Sequence, residues 1–391
     1  MTQHITDPTN PTDPTNTTGG TESASGADLT VIMTGAGAPG ASGIVRSLRS
    51  TDERDIYIVG VDMNEEAYGF ALVDEAYTVP PGDDDDYISR MADIAQWESA
   101  DAILPLTTAE IEPLAANRET FDATVMVSES EALSVANDKA KLYEFLGDEG
   151  FESAPTYRRV GDEEAFVDAV EALGYPEQPV CFKPPVASGM RGFRVLDDRT
   201  DRLTRLLDEK PDTAVTTLEE VLPVLSSADS FPELAVMEYL PGEEYSVDVL
   251  AMDGEVGPVV PRSRARTRAG ISFEGVVERR QELIDEAAAI CRDLGLAYNV
   301  NVQFKYDADG DPKVIEINPR VSGTIIMCVG AGANMPYLGV KYALGESIPA
   351  VDIDWGTRMV RYWQELFRSP DGRAFHVGSE TETRPQQSHP Q

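Results

Sequence analysis

Histidine is almost missing from this chain. Its three copies, His4, His376 and His389, fall in segments near the two ends. The folded body is therefore expected to hold none, which excludes a Ser/His/Asp triad, a Cys/His pair and a histidine zinc site. Cysteine is as scarce: Cys181, Cys291 and Cys328 are an odd number without paired spacing, predicting free thiols in a reducing compartment and no disulfide framework. No run approaches the about eighteen apolar residues of a membrane span, and the N-terminus does not read as a signal peptide, so a cytoplasmic protein is expected. Positive charge is short as well. Against 69 acids stand 32 bases, for a net charge of −37, which rules against a nucleic-acid or anionic-membrane surface and has the balance of halophilic proteins. Only seven of the bases are lysine (Lys139, Lys141, Lys183, Lys210, Lys305, Lys313 and Lys341), so a lysine beside a glycine loop is informative. Any chemistry must run on carboxylates, amides, lysine, arginine and metal.

A chain of 391 residues is too long for one ordinary core, and two or three domains are expected. Residues 1–28 are Thr, Pro, Asp, Asn, Gly and Ser with hardly an apolar side chain, a composition that predicts a disordered arm; from 370 to 391 the chain is expected to fray likewise. Leu29 to about Ser130 alternates short β-branched runs (LTVIMT, IYIVGVD, DAILPLT, TVMVS) with helical stretches, the pattern of a parallel sheet. Its first turn carries Gly35, Gly37 and Gly40 in GxGxxG spacing, followed by Asp62. At face value this is a dinucleotide fingerprint, which leaves an NAD(P)-dependent oxidoreductase as one alternative; a plain strand-to-helix turn, or a helix N-terminus touching a substrate anion, are the others.

The most informative stretch is VIEINPRVS, Val314 to Ser322. On an extended strand Glu316 and Asn318 share one face, and Ile315 and Ile317 the other. Gln303 lies in NVNVQFKYD, a second alternating strand, with DADGD (Asp307 to Asp311) between them as a hairpin turn. Pairing of the two strands would set the Gln303 carbonyl beside the Glu316 carboxylate. A few hard oxygen donors suit Mg²⁺ sharing its shell with substrate phosphates, and Arg320 could neutralise a transferring phosphoryl group. The competing reading is a buried polar pair on an edge strand.

Other stretches point the same way. Asn137 and Asp138 can cap a helix starting at Lys139 and running toward Gly150, and a cation in a first helical turn makes sense beside an anion. PVCFKPPVASGMRGFRVL predicts a hairpin in which Lys183 supplies point charge and a loop of small residues, including Ser188, Gly189 and Gly192, closes over phosphates. Asp162 to Leu173 reads as an amphipathic helix. LAVMEYLPGEEYSVDVLAMDGEVGPVV predicts a β-meander with Pro-Gly and Asp-Gly turns; in it Glu238 and Leu240 could meet an adenine edge and Glu244 a ribose. Arg262, Arg264, Arg266 and Arg268 alternate, so on a strand all four would share a face, either solvated or facing a carboxylate or phosphate. A helix from about Val276 to Leu294 is expected to follow.

Taken together, these pieces resemble the ATP-grasp superfamily over residues 29 to 367. NVQF followed by VIEINPRVS is similar to the metal-binding strands of carbamoyl-phosphate synthase large subunits, and TGAGAPGASGIVRSLR with IVGVDMN resembles the leading domain of the superfamily's carboxylate–amine ligases. The resemblance implies α/β and α+β architecture, a Rossmann-like leading domain followed by a two-subdomain ATP-grasp fold: a leading domain at 29–130, a small subdomain with a glycine-rich lid at 131–215 and a large subdomain with the metal site at 216–369. It implies ATP with Mg²⁺ or Mn²⁺, the metal on Gln303, Glu316 and Asn318, Arg320 at the γ-phosphate, Lys139 and Lys183 on the phosphates with Ser188 to Gly192 as the lid, Glu238 and Leu240 at adenine and Glu244 at the ribose. Arg262, Arg264 and Arg268 would orient a small-molecule acid for amide formation with an amine through an acyl phosphate. A homodimer is common in the family. A single ATP-grasp unit makes carbamoyl phosphate synthesis improbable; another ATP-grasp reaction, such as a carboxylase, is the alternative.

Overall fold

Short β-branched strands separated by helices close a parallel sheet only if each crossover helix buries a face on it, and the first third of the chain does so. The computed structural model describes residues 28–185, 192–199, 203, 207, 214–268, 270–370 and 373–377. Strand β1 (Leu29–Met33) leads into helix α1 (Ala41–Arg49), then β2 (Ile56–Asp62), β3 (Glu75–Thr78), α2 (Tyr87–Trp97), β4 (Ala102–Leu104), α3 (Thr108–Ala116) and β5 (Thr124–Val125). The strands pair in the order β3-β2-β1-β4-β5, all parallel. The apolar side of α1, Ile44 and Leu48, does not end in a core of its own. It packs in one cluster with Met33 from the sheet and with Val321, Ile325, Met327 and Leu338 from far down the chain. The leading sheet and the segment after the VIEIN strand thus share a core, which fixes one against the other.

Helices α4 (Ser130–Ala136) and α5 (Lys139–Asp148) lead to a second sheet, built from β6 (Tyr157–Val160), α6 (Glu163–Ala172), β7 (Val180–Lys183), β8 (Arg194–Leu196), β9 (Val215–Thr216), α7 (Leu218–Ser226) and β10 (Leu234–Glu238). The strand order is β6-β10-β7-β8-β9. Two sequence expectations change here. Strand β10 was expected to open a meander in the large subdomain; instead it pairs antiparallel with β6 and β7, and α7 packs into the same cluster as α6. The second sheet therefore extends past residue 215, and Pro241-Gly242 is a crossover between sheets, not a hairpin turn. Non-local pairing of this kind leaves no mark in the local pattern of a strand.

The third sheet is antiparallel, order β12-β11-β15-β16. It begins with β11 (Glu244–Met252) and β12 (Glu255–Ser263), followed by β13 (Arg266–Arg268), β14 (Ile271–Val276), helix α8 (Gln281–Asp293), β15 (Tyr298–Tyr306), β16 (Pro312–Asn318), α9 (Ile326–Gly330), α10 (Met335–Ala343) and β17 (Arg358–Val360). Helix α8 starts later than the sequence suggested, because Val276 still belongs to β14, which lies between β13 and β17 in a small separate sheet. Its buried stripe is Leu283, Ala287, Ile290 and Cys291. Pairing also continues beyond Pro370, where fraying was expected: β18 (Phe367–Arg368) pairs with β19 (Ala374–Phe375). The expected arm at 1–28 and the tail beyond 377 lie outside the described residues, apart from Asp28. All three cysteines are free and buried, and among the described residues no helix is long and apolar enough to cross a membrane.

Candidate active site

The hairpin of β15 and β16 forms in the register that the alternating pattern predicts, with Gln303 opposite Glu316 and Asn301 opposite Asn318. One detail departs from simple alternation. The register slips between Gln303 and Phe304, so Phe304 faces Val314 and Ile315 is the extra residue of a β-bulge. Val314 and Ile317 are buried while Ile315 is only half-buried; the bulge turns Ile315 out of the core and keeps Glu316 and Asn318 together on the open face. The bulged carbonyl is not left bare. Tyr143, buried on α5, donates its hydroxyl to the Ile315 oxygen at 2.8 Å.

That tyrosine brings α5 over the carboxylate. Asp138 caps the helix by accepting from the Ala140 and Lys141 amides, and Lys139, 6% exposed, sets its ammonium 3.3 Å from Glu316. Lys183 comes from the other side, at the end of β7, and meets the Lys139 ammonium. Two lysines, of only seven, therefore crowd one carboxylate. Burial, then repulsion from Lys139, lower the Lys183 pKa from its usual 10.5 to about 7, against the pull of Glu316. On Glu316 burial pushes upward, but Lys139 and Lys183 outweigh it and hold the carboxyl below its usual range.

The row continues through amides to a guanidinium. Asn318 donates to Glu316 at 3.1 Å and accepts from Arg320 at 3.2 Å. Arg320 also donates to the Val321 carbonyl at 3.0 Å and approaches the Thr108 hydroxyl at 3.5 Å, at the start of α3, so the leading domain touches the site here. Burial lowers the Arg320 pKa, opposed by Glu316 and Glu110. The side chains expected at the metal offer one carboxylate and two amide oxygens, and among the described residues no group of three or more His, Cys, Asp or Glu is placed to hold a metal ion. Such a set fits a hard divalent cation that takes the rest of its shell from phosphates and water, and not a soft or histidine-seeking metal.

The arginine row does not survive as a row. Strand β12 ends at Ser263 and β13 begins at Arg266, and the break sends the four side chains apart. Arg262 is fully buried, with Nε 2.5 Å from Asp248 Oδ2, and donates to Ser322 at 2.7 Å and to Thr324. A guanidinium so enclosed cannot meet a substrate; alternation alone could not tell an inward arginine from an outward one. Arg264 pairs with Glu244 at 2.5 Å, which ties the residue expected at the ribose to one expected at the acid. Arg266 pairs with Glu274 at 2.7 Å, and Arg268 lies over the Trp363 ring at 5.8 Å. Glu238 is engaged too: its carboxylate accepts from the Thr156 amide at 2.7 Å and its amide donates to the Thr156 carbonyl. Leu240 is buried beyond it at the crossover. Of the expected lid, Ser188 and Gly189 lie outside the described residues; Gly192 has φ of +72° and packs so closely on Pro184 that a Cβ would lie 2.6 Å from its Cδ.

Sequence reasoning missed a second layer. Gln303 contacts Asn301 at 3.4 Å, Asn301 donates to Asp248 at 2.9 Å, and Asp248 holds Arg262 and through it the Ser322–Thr324 loop. An acid inside the apolar strand YSVDVLAM was the available signal for Asp248, and Asn301 shares the face of Gln303 two residues on. Arg361, whose guanidinium donates to Gly323 at 3.2 Å, carried no signal. The glycine turn resolves differently from its fingerprint: Asp62 accepts from the Gly37 amide at 2.7 Å, so the acid serves the turn itself. A Cβ on Gly40 would stand 2.6 Å from the Gly323 Cα; that glycine lets α1 sit directly on the loop after Arg320.

Two stretches of the chain match known protein families. Residues 230–364 match the family described as ATP-grasp in the biosynthetic pathway with Ter operon, and residues 32–127 match PylC-like, N-terminal domain. The chain therefore carries an ATP-grasp domain behind a PylC-like leading domain. It is 32% identical over 124 residues to carnosine synthase 1 of Gallus gallus, 29% of this chain and 13% of that protein. It is 27% identical over 227 residues to the arginine-specific carbamoyl phosphate synthase large chain of Geobacillus stearothermophilus, 55% of this chain and 19% of that one. Thus it spans less than a fifth of either relative. Among solved structures it is similar to N5-carboxyaminoimidazole synthetase from Staphylococcus aureus complexed with ADP, with a TM-score of 0.62 at 16% identity over 84% of this chain and 81% of that one; at that identity the likeness is one of fold.

Proposed function

We propose that the protein is an ATP-dependent ligase that activates a small carboxylic acid and joins it to an amine. The observation that carries this reading is the convergence of Lys139, Lys183 and Arg320 on Glu316 and Asn318, a cationic cleft around a few oxygen donors, which suits a nucleoside triphosphate with its metal. The family matches and the likeness to carnosine synthase support it. In this reading Glu316, Asn318 and Gln303 hold Mg²⁺, which when bound neutralises charge on the β- and γ-phosphates. Lys139 and Lys183 bind the same phosphates from two sides, and a polyanion beside Lys183 restores the proton that burial makes weak. The substrate carboxylate oxygen attacks the γ-phosphorus as the bond to ADP breaks, and Arg320 faces the charge that spreads over the transferring group. The amine then attacks the acyl carbon, loses a proton, and phosphate leaves. The segment from Glu238 to Leu240 lies at adenine with Glu244 at the ribose, and Arg264 with Arg361 orients the acid; Arg262 has no such part. The reading includes a cytoplasmic home in a high-salt cell, supported by the free cysteines and the net charge of −37.

The test is ADP release from Mg·ATP by the purified chain against pairs of carboxylic acids and amines, with bicarbonate among the acids, followed by identification of the product. ADP formation that needs both partners and yields an amide is the expected result. ADP formation with bicarbonate alone would make it a carboxylase-type enzyme, and no nucleotide binding at all would remove the reading.

A further inference from the structure

Next to these residues stands a surface of which the ligase reading uses Arg361 alone. The ladder of β14 and β17 pairs Glu274 with Val360 and runs one residue further, because the Arg361 amide donates to the Phe273 carbonyl at 2.7 Å. Phe273 and Arg361 are thus cross-strand neighbours, and such neighbours share a face. On that face the Arg361 guanidinium reaches Gly323, three residues past Arg320, and the Phe273 ring meets Trp363 at 5.5 Å. Trp363 is 71% exposed and Tyr362 77%. In a chain with 69 acids, neither Arg361 nor Arg268, the guanidinium over Trp363, has a carboxylate partner among the described residues. Burial lowers the Arg361 pKa, and Arg262 and Arg46 add repulsion. Exposed rings beside guanidinium groups that lack a carboxylate partner match a ligand with an anion at one end and a flat apolar body at the other.

We propose that the site takes a carboxylic acid bearing an aromatic ring, its carboxylate on Arg361 and its ring on the platform of Phe273 and Trp363. This rests on the ligase reading for its place in the reaction but not for its binding. Loss of the Trp363 ring removes the ring contact and leaves the nucleotide cleft intact; loss of the Arg361 charge removes the anion contact.

The experiment is calorimetric titration of the full-length chain with phenylacetate, acetate and benzyl alcohol, with Mg·ATP binding measured in parallel and molar mass followed by light scattering. One phenylacetate per chain is expected, with acetate and benzyl alcohol each at least tenfold weaker, and with Trp363→Ala and Arg361→Gln each weakening phenylacetate about tenfold while Mg·ATP binding is unchanged. Equal binding of acetate and phenylacetate overturns the proposal, as does undiminished phenylacetate binding by Trp363→Ala. A Trp363→Ala chain that only falls from dimer to monomer would show that a second copy covers the rings, and also overturns it. If phenylacetate binds but Mg·ATP does not, the ligase reading fails and the aryl-acid site stands; if Mg·ATP binds and phenylacetate does not, the reverse holds.

Discussion

Arg262 and Asp248 form an ion pair sealed from solvent, Nε to Oδ2 2.5 Å, with the arginine at 0% exposure and the aspartate at 1%. Among the described residues the side chains bonded to the pair are Asn301, Cys328, Ser322 and Thr324. Breaking one partner of such a pair strands the other charge in a low-dielectric interior. Asp248→Ala should therefore cost about 3–5 kcal/mol of stability, read as a fall in denaturation midpoint. Arg268→Ala, from the same predicted row but at the surface, should stay within about 0.5 kcal/mol of the parent. Equal effects of the two would contradict the separation of the arginines into inner and outer.

Lys183 makes the protein sensitive to pH around neutrality. Its pKa drops from 10.5 to about 7 on folding, so between these values the unfolded chain carries a proton that the folded chain has released. Unfolding then takes up a proton, and the nucleotide-free protein should gain stability as pH rises from 7 toward 10.5 and lose that gain as pH falls back through 7. Nucleotide binding works in the opposite sense, because phosphates favour the charged ammonium. Calorimetry of Mg·ATP binding at about pH 8, repeated in buffers of different ionisation enthalpy, should show net proton uptake, abolished in Lys183→Met.

Glu316 is the joint of the cluster. Glu316→Gln keeps the shape and removes the charge, which should lower ADP formation by on the order of 10²–10³. Because Glu316 also raises the Lys183 pKa, the same change should move the proton uptake of nucleotide binding to lower pH. Unchanged turnover in the variant would be incompatible with a metal and phosphate site at this position.

Gly40 tests whether the leading domain is a strut for the site. A Cβ there would stand 2.6 Å from the Gly323 Cα and 3.0 Å from its carbonyl oxygen, a backbone approach that no rotamer change relieves. Gly40→Ala should cost about 1–3 kcal/mol and, by displacing the loop behind Arg320, raise the KM for the acid more than that for ATP. A thermal melt with both KM values decides it.

The excess of acid over base has its own signature. With a net charge of −37, self-repulsion weakens the compact state and is screened by salt, with a Debye length of about 10 Å at 0.1 M and about 3 Å at 1 M. The melting temperature should climb with KCl through the molar range, and by less in a chain with several surface acids neutralised.

What the sequence determined on its own was local and periodic. Alternation in NVNVQFKYD and VIEINPRVS set a hairpin, its turn and the pairing of Gln303 with Glu316, because slipping the whole strand by one residue would turn its apolar set outward, while the bulge at Ile315 left no mark in the pattern; and Asp138 before Lys139 set a helix start through its capping bonds. The tertiary structure decided whatever depended on which surface is covered by something distant. It moved Leu234–Glu238 into the second sheet, buried Arg262 against Asp248, gave Asp62 to the glycine turn, and brought Lys139 and Lys183 from two helix and strand ends onto one carboxylate. Alternation states which side chains share a face but not what lies above that face, and for a charged side chain the cover, through desolvation and pairing, settles its role.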